Sequence, residues 1–200
     1  LSDGNYTLDS PLLINEDNSG LTIKAENPRR ARLYGGKKIT GWRPKNDTLW
    51  SASIPEVKAG TWDFRMLVVN DRMASRSRLP ETGYYLHETE FDVRWKSTVE
   101  GGWERPATDD ELLTLEYRPE DIGPWFDPNN AELTIYHMWD ESLVGVANFD
   151  PERHRIYFAD KPGYPPGAFA KQYNMNRRYV IWNLLEGVRK AVQWYLDRTA

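Results

Sequence analysis

There is no cysteine among the 200 residues of this chain. Disulfides, thiolate zinc sites and cysteine nucleophiles are therefore excluded. Such a composition fits the cytoplasm, or an exported bacterial protein that does not use disulfides. Histidine is nearly as scarce. His87 and His154 stand alone in the sequence, without a second ligand at metal spacing, so no transition-metal site is expected. The composition leaves open a structural Ca²⁺ held by scattered Asp and Asn, but "DPNNAE" lacks the ligand spacing and central Gly of an EF-hand loop. No other cofactor is expected. Apolar runs fall short of the ~20 residues that cross a bilayer, so no membrane partner is expected, and no signal peptide is recognisable. Basic residues form no stripe: the formal net charge is −4, with both signs interleaved. Nucleic acid, whose phosphates call for a dense basic face, is accordingly not an expected partner. Gly35-Gly36 and Gly101-Gly102 lack the helix and Lys of a phosphate cradle, and there is no G-x-S-x-G elbow for a serine nucleophile.

Aromatic residues, by contrast, are abundant. Nine Trp and eleven Tyr are many for this length. Their rings fill β-rich cores and also stack on the apolar faces of sugars. Short strand signals dominate: "NYTLDSPLLI", "SGLTIKA" after a turn at Asn18-Ser19-Gly20, "ARLYGG", "KITGW" and "LWSASI" are separated by Gly, Pro, Asn or Asp. Runs this short, arriving every ten residues or so, predict an all-β sandwich, barrel or solenoid.

"RMLVVNDRMASRSRLP" predicts a hairpin turning at Asn70-Asp71, since Asn and Asp tolerate positive φ. Alternation then puts Arg72 and Arg76 on one strand face, with Arg78 just beyond. An arginine fork suits the carboxylate of an acidic sugar. It equally suits an Asp or Glu of a neighbouring segment, and this structural clamp is the favoured reading. From Phe91 the character shifts towards Pro, Asp and Trp. Thr108-Asp109-Asp110-Glu111 fits a capping box at a helix start, and "PEDI" a single helical turn with Pro first. Three strands follow, "ELTIYHMW", "LVGVANFD" and "RIYFAD", the last two joined by a turn at Phe149-Asp150-Pro151-Glu152. Leu184, Leu185, Val188 and Val192 make one apolar stripe of a two-turn helix, and "QWYLDR" reads as a strand beginning a new hairpin. The abrupt first and last strands suggest the front part of a longer protein.

Taken in order, "GNYTLDSPLLINEDNSGLTIKA", "LYGGKKITGW", "FRMLVVNDRMASRSRLP", "YRPEDIGPW", "ELTIYHMW" and "RRYVIWNLLEGVRKAVQWYLDR" resemble the N-terminal part of carbohydrate-active right-handed parallel β-helix proteins. The resemblance is to glycoside hydrolases of the α-galactosidase and α-fucosidase/xylanase kind. It implies an all-β fold: the first coils of a right-handed parallel β-helix, interrupted by a small β-rich inserted domain. The expected division is 1–90 for coils and hairpin, 91–169 for the insertion and 170–200 for the return to the helix. The family's catalytic carboxylates lie in later coils, so no catalytic residue transfers and this segment alone is expected to be inactive. Its implied role is to shape or cap the substrate cleft of a secreted or periplasmic polysaccharide-degrading hydrolase. The implied partners are a polysaccharide or oligosaccharide and the downstream β-helix, in the same chain or a second one, because solenoid coils bury their apolar faces only by stacking. A β-helix polysaccharide lyase and a non-catalytic carbohydrate-binding or adhesive module are the alternatives.

Three residues are the substrate-binding candidates. His137 and Trp139 in "YHMWDES" share a face if the stretch is a strand, offering a hydrogen bond to a sugar hydroxyl and a stacking ring. The structural alternative makes Trp139 core filling and His137 its satisfied polar neighbour. Trp125 sits in the loop "GPWFDPNN", as a binding residue or as a lid over a small core. Trp62-Asp63-Phe64 is similarly open. Asp140 and Glu141 are adjacent and read as a solvated turn.

Overall fold

The structure, a computed structural model, describes every residue except Asp9, Ser97, Thr98, Glu100 and Asn176. It is mostly β with a few short helices and divides into two units, Leu1–Pro55 and Glu56–Ala200.

In the first unit, β1 (Gly4–Thr7) runs parallel to β2 (Ala31–Tyr34), with Gly4 opposite Ala31 and Thr7 opposite Tyr34. Parallel neighbours cannot be joined by a hairpin, so the intervening chain makes a full loop back. That loop contains a 3₁₀ turn, Glu16–Asn18, where the Asn15 and Asn18 side chains each accept a backbone N–H of the other end. A short antiparallel pair follows, β3 (Arg43–Pro44) with β4 (Trp50–Ser51). The turn between them is fixed by the Asn46 side-chain oxygen, which accepts from the N–H groups of Thr48 and Leu49. "SGLTIKA" and "KITGW", expected as strands, are not: neither has a ladder partner among the described residues. None of the described residues of this unit is buried, and Leu12, Leu13, Ile14, Leu21, Ile23, Leu33, Trp42 and Trp50 are exposed.

The second unit opens with the expected hairpin. β5 (Leu67–Val69) and β6 (Arg72–Arg76) pair across Asn70 and Asp71, whose φ angles of 51° and 62° are those of a type I′ turn. On the other edge of β6 lies the last strand of the chain, parallel to it, with Gln193 opposite Ser75. Between these two come β7 (Arg78–Leu79), β8 (Tyr85–Leu86), β9 (Thr114–Glu116), β10 (Glu132–Tyr136), β11 (Glu141–Asp150), β12 (Arg155–Phe158) and β13 (Arg178–Trp182), the last strand being β14 (Gln193–Trp194). Strands β7 to β13 form one seven-stranded sheet in the order β7-β13-β10-β11-β12-β9, with β8 on the remaining part of the β13 edge. This sheet takes strands from before residue 91 and after residue 169 as well as from between them. The capping box forms as expected: Thr108 Oγ1 accepts from Glu111 N–H, and Glu111 reaches back to Thr108 N–H.

Alternation divides the sheet into two faces. Leu133, Ile135, Val144, Ile156, Phe158, Tyr179 and Ile181 build the main core with Leu115 and Tyr117. Glu132, Thr134 and Tyr136 point the other way, beside Arg178, Val180 and Trp182 of β13. A second, aromatic core gathers Phe91, Ala168 and Phe169 with Trp95, Trp103 and Tyr164. Gly167 makes it possible: with φ +82°, it lies where a Cβ would come within 2.4 Å of the Thr89 carbonyl oxygen.

Two expectations at the end of the chain are corrected. The two-turn helix over residues 184–192 does not form; only a 3₁₀ turn, Leu185–Gly187, is present. Leu184 enters the main core, whereas Leu185 and Val192 are exposed, so their spacing does not mark one helical face. The left-handed Asn183 ends β13 abruptly, and its buried amide bonds Asn130 O, Leu196 O and Leu196 N–H. Gly187 then approaches β7 too closely for a side chain, its Cβ position lying 2.9 Å from Arg78 N. "QWYLDR" does not start a hairpin either, because β14 pairs in parallel with β6. "PEDI" is a single hydrogen-bonded turn without a helix, Asp121 N–H donating to Arg118 O.

Candidate functional site

His137 and Trp139 lie in the loop between β10 and β11, which corrects the expectation that they share a strand face. The loop is closed by His137 N–H donating to Asp140 O at 2.9 Å. The His137 ring turns inward: it is buried, and Nε2 lies 3.0 Å from Ser142 Oγ, which also accepts from Gly163 N–H. Burial depresses its pKa, and the nearby Asp140 only partly opposes this, so the imidazole is neutral near pH 7.

Trp139 turns outward and is 57% exposed. Its ring meets Tyr164 edge-on at 5.5 Å and Phe169 at 4.9 Å, and these lean on Trp95 and Trp103. Since His137 also contacts Tyr164, at 5.6 Å, the two candidates share one aromatic neighbour. The ring is backed by two aromatic neighbours and otherwise exposed, an arrangement that suits stacking against the apolar face of a pyranose. Trp125 belongs elsewhere. It packs against the main core beside Phe126 and folds over Gly123, leaving 2.7 Å between its Nε1 and a Cβ there. Asp140 and Glu141 are exposed, as expected of a solvated turn.

A second constellation surrounds Glu132, which the sequence reading missed. Its side chain is 5% exposed and takes bonds from three arginines: Arg76 Nη1 at 2.5 Å, Arg65 Nη2 at 2.9 Å and Nε at 3.2 Å, and Arg198 Nη2 at 2.7 Å. Arg198 also bridges to Asp63 at 3.2 Å. Trp62 and Phe64, flanking Asp63, extend towards Trp194, with Phe64 and Trp194 stacked at 5.4 Å. Burial alone would raise the Glu132 pKa, but the hydrogen bonds from Arg76 and Arg65 and the charges of Arg76 and Arg198 outweigh it and hold the carboxyl below its ordinary range. A group so fixed is a permanent acceptor and cannot serve as a general acid. The one sequence signal was a lone carboxylate inside the apolar run "AELTIY".

The arginines of the hairpin therefore divide. Arg76 is a clamp, joining β6 to β10. Arg78 donates to the carbonyls of Glu81 and Gly83, and Arg72 is exposed. Another buried carboxyl, Asp121, accepts from Tyr179 Oη at 2.9 Å, its pKa raised by burial despite that bond. Among the described residues no group of three His, Asp or Glu side chains could hold a metal ion.

No protein-family model and no curated protein matches the sequence. Among solved structures, a chain titled "Glycoside hydrolase" is similar, with a TM-score of 0.66 and 21% identity. The match covers 98% of this chain and 33% of that one, so this chain spans about a third of its neighbour's length. At that identity the likeness is one of fold.

Proposed function

We propose that this chain is the front portion of a polysaccharide-degrading glycoside hydrolase, shaping or capping the substrate cleft, with the catalytic carboxylates in a part beyond these 200 residues. The observation that carries the reading is the structural match, which takes in nearly all of this chain and only a third of a glycoside hydrolase. Two parallel pairs support a right-handed β-helix interrupted by an insertion. The β1–β2 pair is one coil returning alongside itself. The β6–β14 pair brings together strands separated by everything from residue 77 to residue 192. Those residues, rather than 91–169, then constitute the insertion, because the seven-stranded sheet takes strands from across the whole stretch.

The exposed Leu and Ile of the first unit favour a stacking partner. Leu12, Leu13, Ile14, Leu21 and Ile23 are the apolar surface a following coil, in the same protein or a second chain, would cover. Within the insertion, Trp139 is the sugar-stacking residue and the buried His137 holds its loop in place. Such a protein acts on extracellular polysaccharide, which is consistent with secretion or a periplasmic location. Native and denaturing intact mass of the natural protein carrying this sequence tests the proposal. It should exceed 23.3 kDa, or a second polypeptide should co-purify. A folded monomer of that mass that binds glycan and hydrolyses nothing would instead establish a self-contained binding module.

A further inference from the structure

The second face of the seven-stranded sheet ends in a group of side chains that the reading above does not use. Arg178, the first residue of β13, lies with its guanidinium carbon 5.0 Å from the centre of the Tyr84 ring and 5.8 Å from that of Tyr136. The two tyrosines meet edge to face at 5.0 Å, and Tyr84 is 45% exposed. Arg78 approaches the same Tyr84 ring at 5.9 Å and Trp182 at 5.7 Å. Two guanidinium groups thus converge on one phenol ring.

Neither guanidinium is in an ion pair among the described residues, although the Glu141 charge acts on the Tyr136 ring beside them. Arg78 spends its fork on two backbone carbonyls, Glu81 O at 3.2 Å and Gly83 O at 2.7 Å, which fixes the loop that presents Tyr84. Among the described residues Arg178 contacts only the Tyr84 and Tyr136 rings through its guanidinium, and its Nε is buried without a hydrogen-bond partner. The Glu81 carboxylate is taken by Lys190. Glu141, opposite Tyr136 across the β10–β11 pair, is the acidic side chain nearest in register, and it is exposed and not bridged to Arg178. Cation–π attraction holds the two cations in place, but their mutual repulsion remains, and an anion would relieve it. Arg178 Nε is buried without a partner, so the edge left for a ligand is the end-on pair of Nη groups, the geometry that accepts a carboxylate in two parallel bonds.

We propose that Arg178, walled by Tyr84 and Tyr136 and positioned with the help of Arg78, is a subsite for the carboxylate of an acidic sugar. The carboxylate binds the Nη pair while the sugar ring lies against the exposed part of Tyr84. This rests on the carbohydrate reading above but is separate from the Trp139 platform. It assigns the bound glycan a uronic acid residue at this end of the sheet.

The test is calorimetric titration of the full chain with trigalacturonate, with the matching neutral galactose trisaccharide and with acetate. Trigalacturonate should bind at least about tenfold more tightly than the neutral trisaccharide, and rising salt should weaken it. Arg178→Met, which keeps the packed stem, should remove that preference. Arg178→Lys should restore only part of it. Thermal melting of each variant separates lost binding from lost folding. Equal binding of acidic and neutral trisaccharides, unchanged in Arg178→Met, would overturn the acidic subsite and leave the carbohydrate reading standing. Acetate binding at Arg178 with no gain from the sugar would likewise overturn it. No binding of trigalacturonate would overturn the acidic subsite, whereas the carbohydrate reading falls only if no glycan binds.

Discussion

Glu132→Gln is nearly isosteric, yet it should be among the most damaging single changes in the second unit. The wild-type carboxylate accepts four bonds from three arginines. Glutamine keeps one acceptor oxygen and turns an NH₂ group towards guanidinium donors. Two of the arginines have a fallback in Asp63, 3.2 Å from Arg198 and 4.0 Å from Arg65. Arg76 has none: its side chain is 9% exposed, and its Nε and Nη2 already lack partners. The cost is therefore that of stranding one buried cation, about 3–5 kcal/mol. Against a typical total of about 5–15 kcal/mol this is severe, and it corresponds to a melting point lowered by roughly 6–20 °C. Arg65→Ala should cost under about 1 kcal/mol, since Arg65 is half exposed and the other two arginines remain. The assay is urea unfolding followed by tryptophan fluorescence, repeated down the acid limb. Because the folded carboxyl titrates below its unfolded value, its contribution is complete above about pH 4.3, declines below that, and is gone once the pH has fallen through the folded value. Wild type and Glu132→Gln should thus differ most near neutrality and converge in acid. A loss below about 1 kcal/mol at neutral pH would show the cluster to be worth no more than a surface pair, and the clamp account would fail.

Other sites give simpler expectations. Trp139→Ala should weaken glycan binding with a nearly unchanged melting temperature, as the ring is 57% exposed; a large drop in melting temperature with binding intact would place it in the core instead. His87 is held neutral, its pKa lowered to about 3 by burial and by the charges of Arg177 and His137. The unfolded chain binds that proton from about pH 6.5 downwards, so the wild type loses stability from there towards pH 3 and His87→Leu should show a flatter acid limb. Parallel slopes for the two proteins would contradict this. Asn183→Ala should cost about 2–4 kcal/mol, because three buried hydrogen bonds disappear at a left-handed residue. Asn183→Gly, which suits the backbone angle but lacks the amide, should lose most of the same stability in the same denaturant titration.

What could be read in the sequence was local. Asn70-Asp71 demanded positive φ, Thr108 and Glu111 stood at the spacing of a capping box, and three β-rich runs fell between clear turn residues; the turn, the box and strands in all three runs formed, the first of them only as far as Tyr136. The misreadings arose where distant contacts overrode local pattern. The stripe Leu184, Leu185, Val188 and Val192 has helical spacing, but Asn183 is tied to Asn130 and Leu196, and Gly187 lies against β7. "YHMW" alternates like a strand, but the hairpin turns after Tyr136 and sends His137 inward and Trp139 outward. Glu132 looked like an isolated charge, because its three partners lie 67, 56 and 66 positions away. Only the tertiary fold brings them together, since Arg76 lies in a different sheet from Glu132 and Arg65 and Arg198 lie outside the strands.

The proposed function requires these 200 residues to bind carbohydrate while the hydrolytic carboxylates lie elsewhere. Incubating the purified chain with a panel of polysaccharides, and reading bound glycan and newly released reducing ends from the same sample, tests it most directly. Binding that Trp139→Ala weakens is expected, with no reducing ends released. Release of reducing ends by this chain alone, or no binding to any glycan, would contradict it.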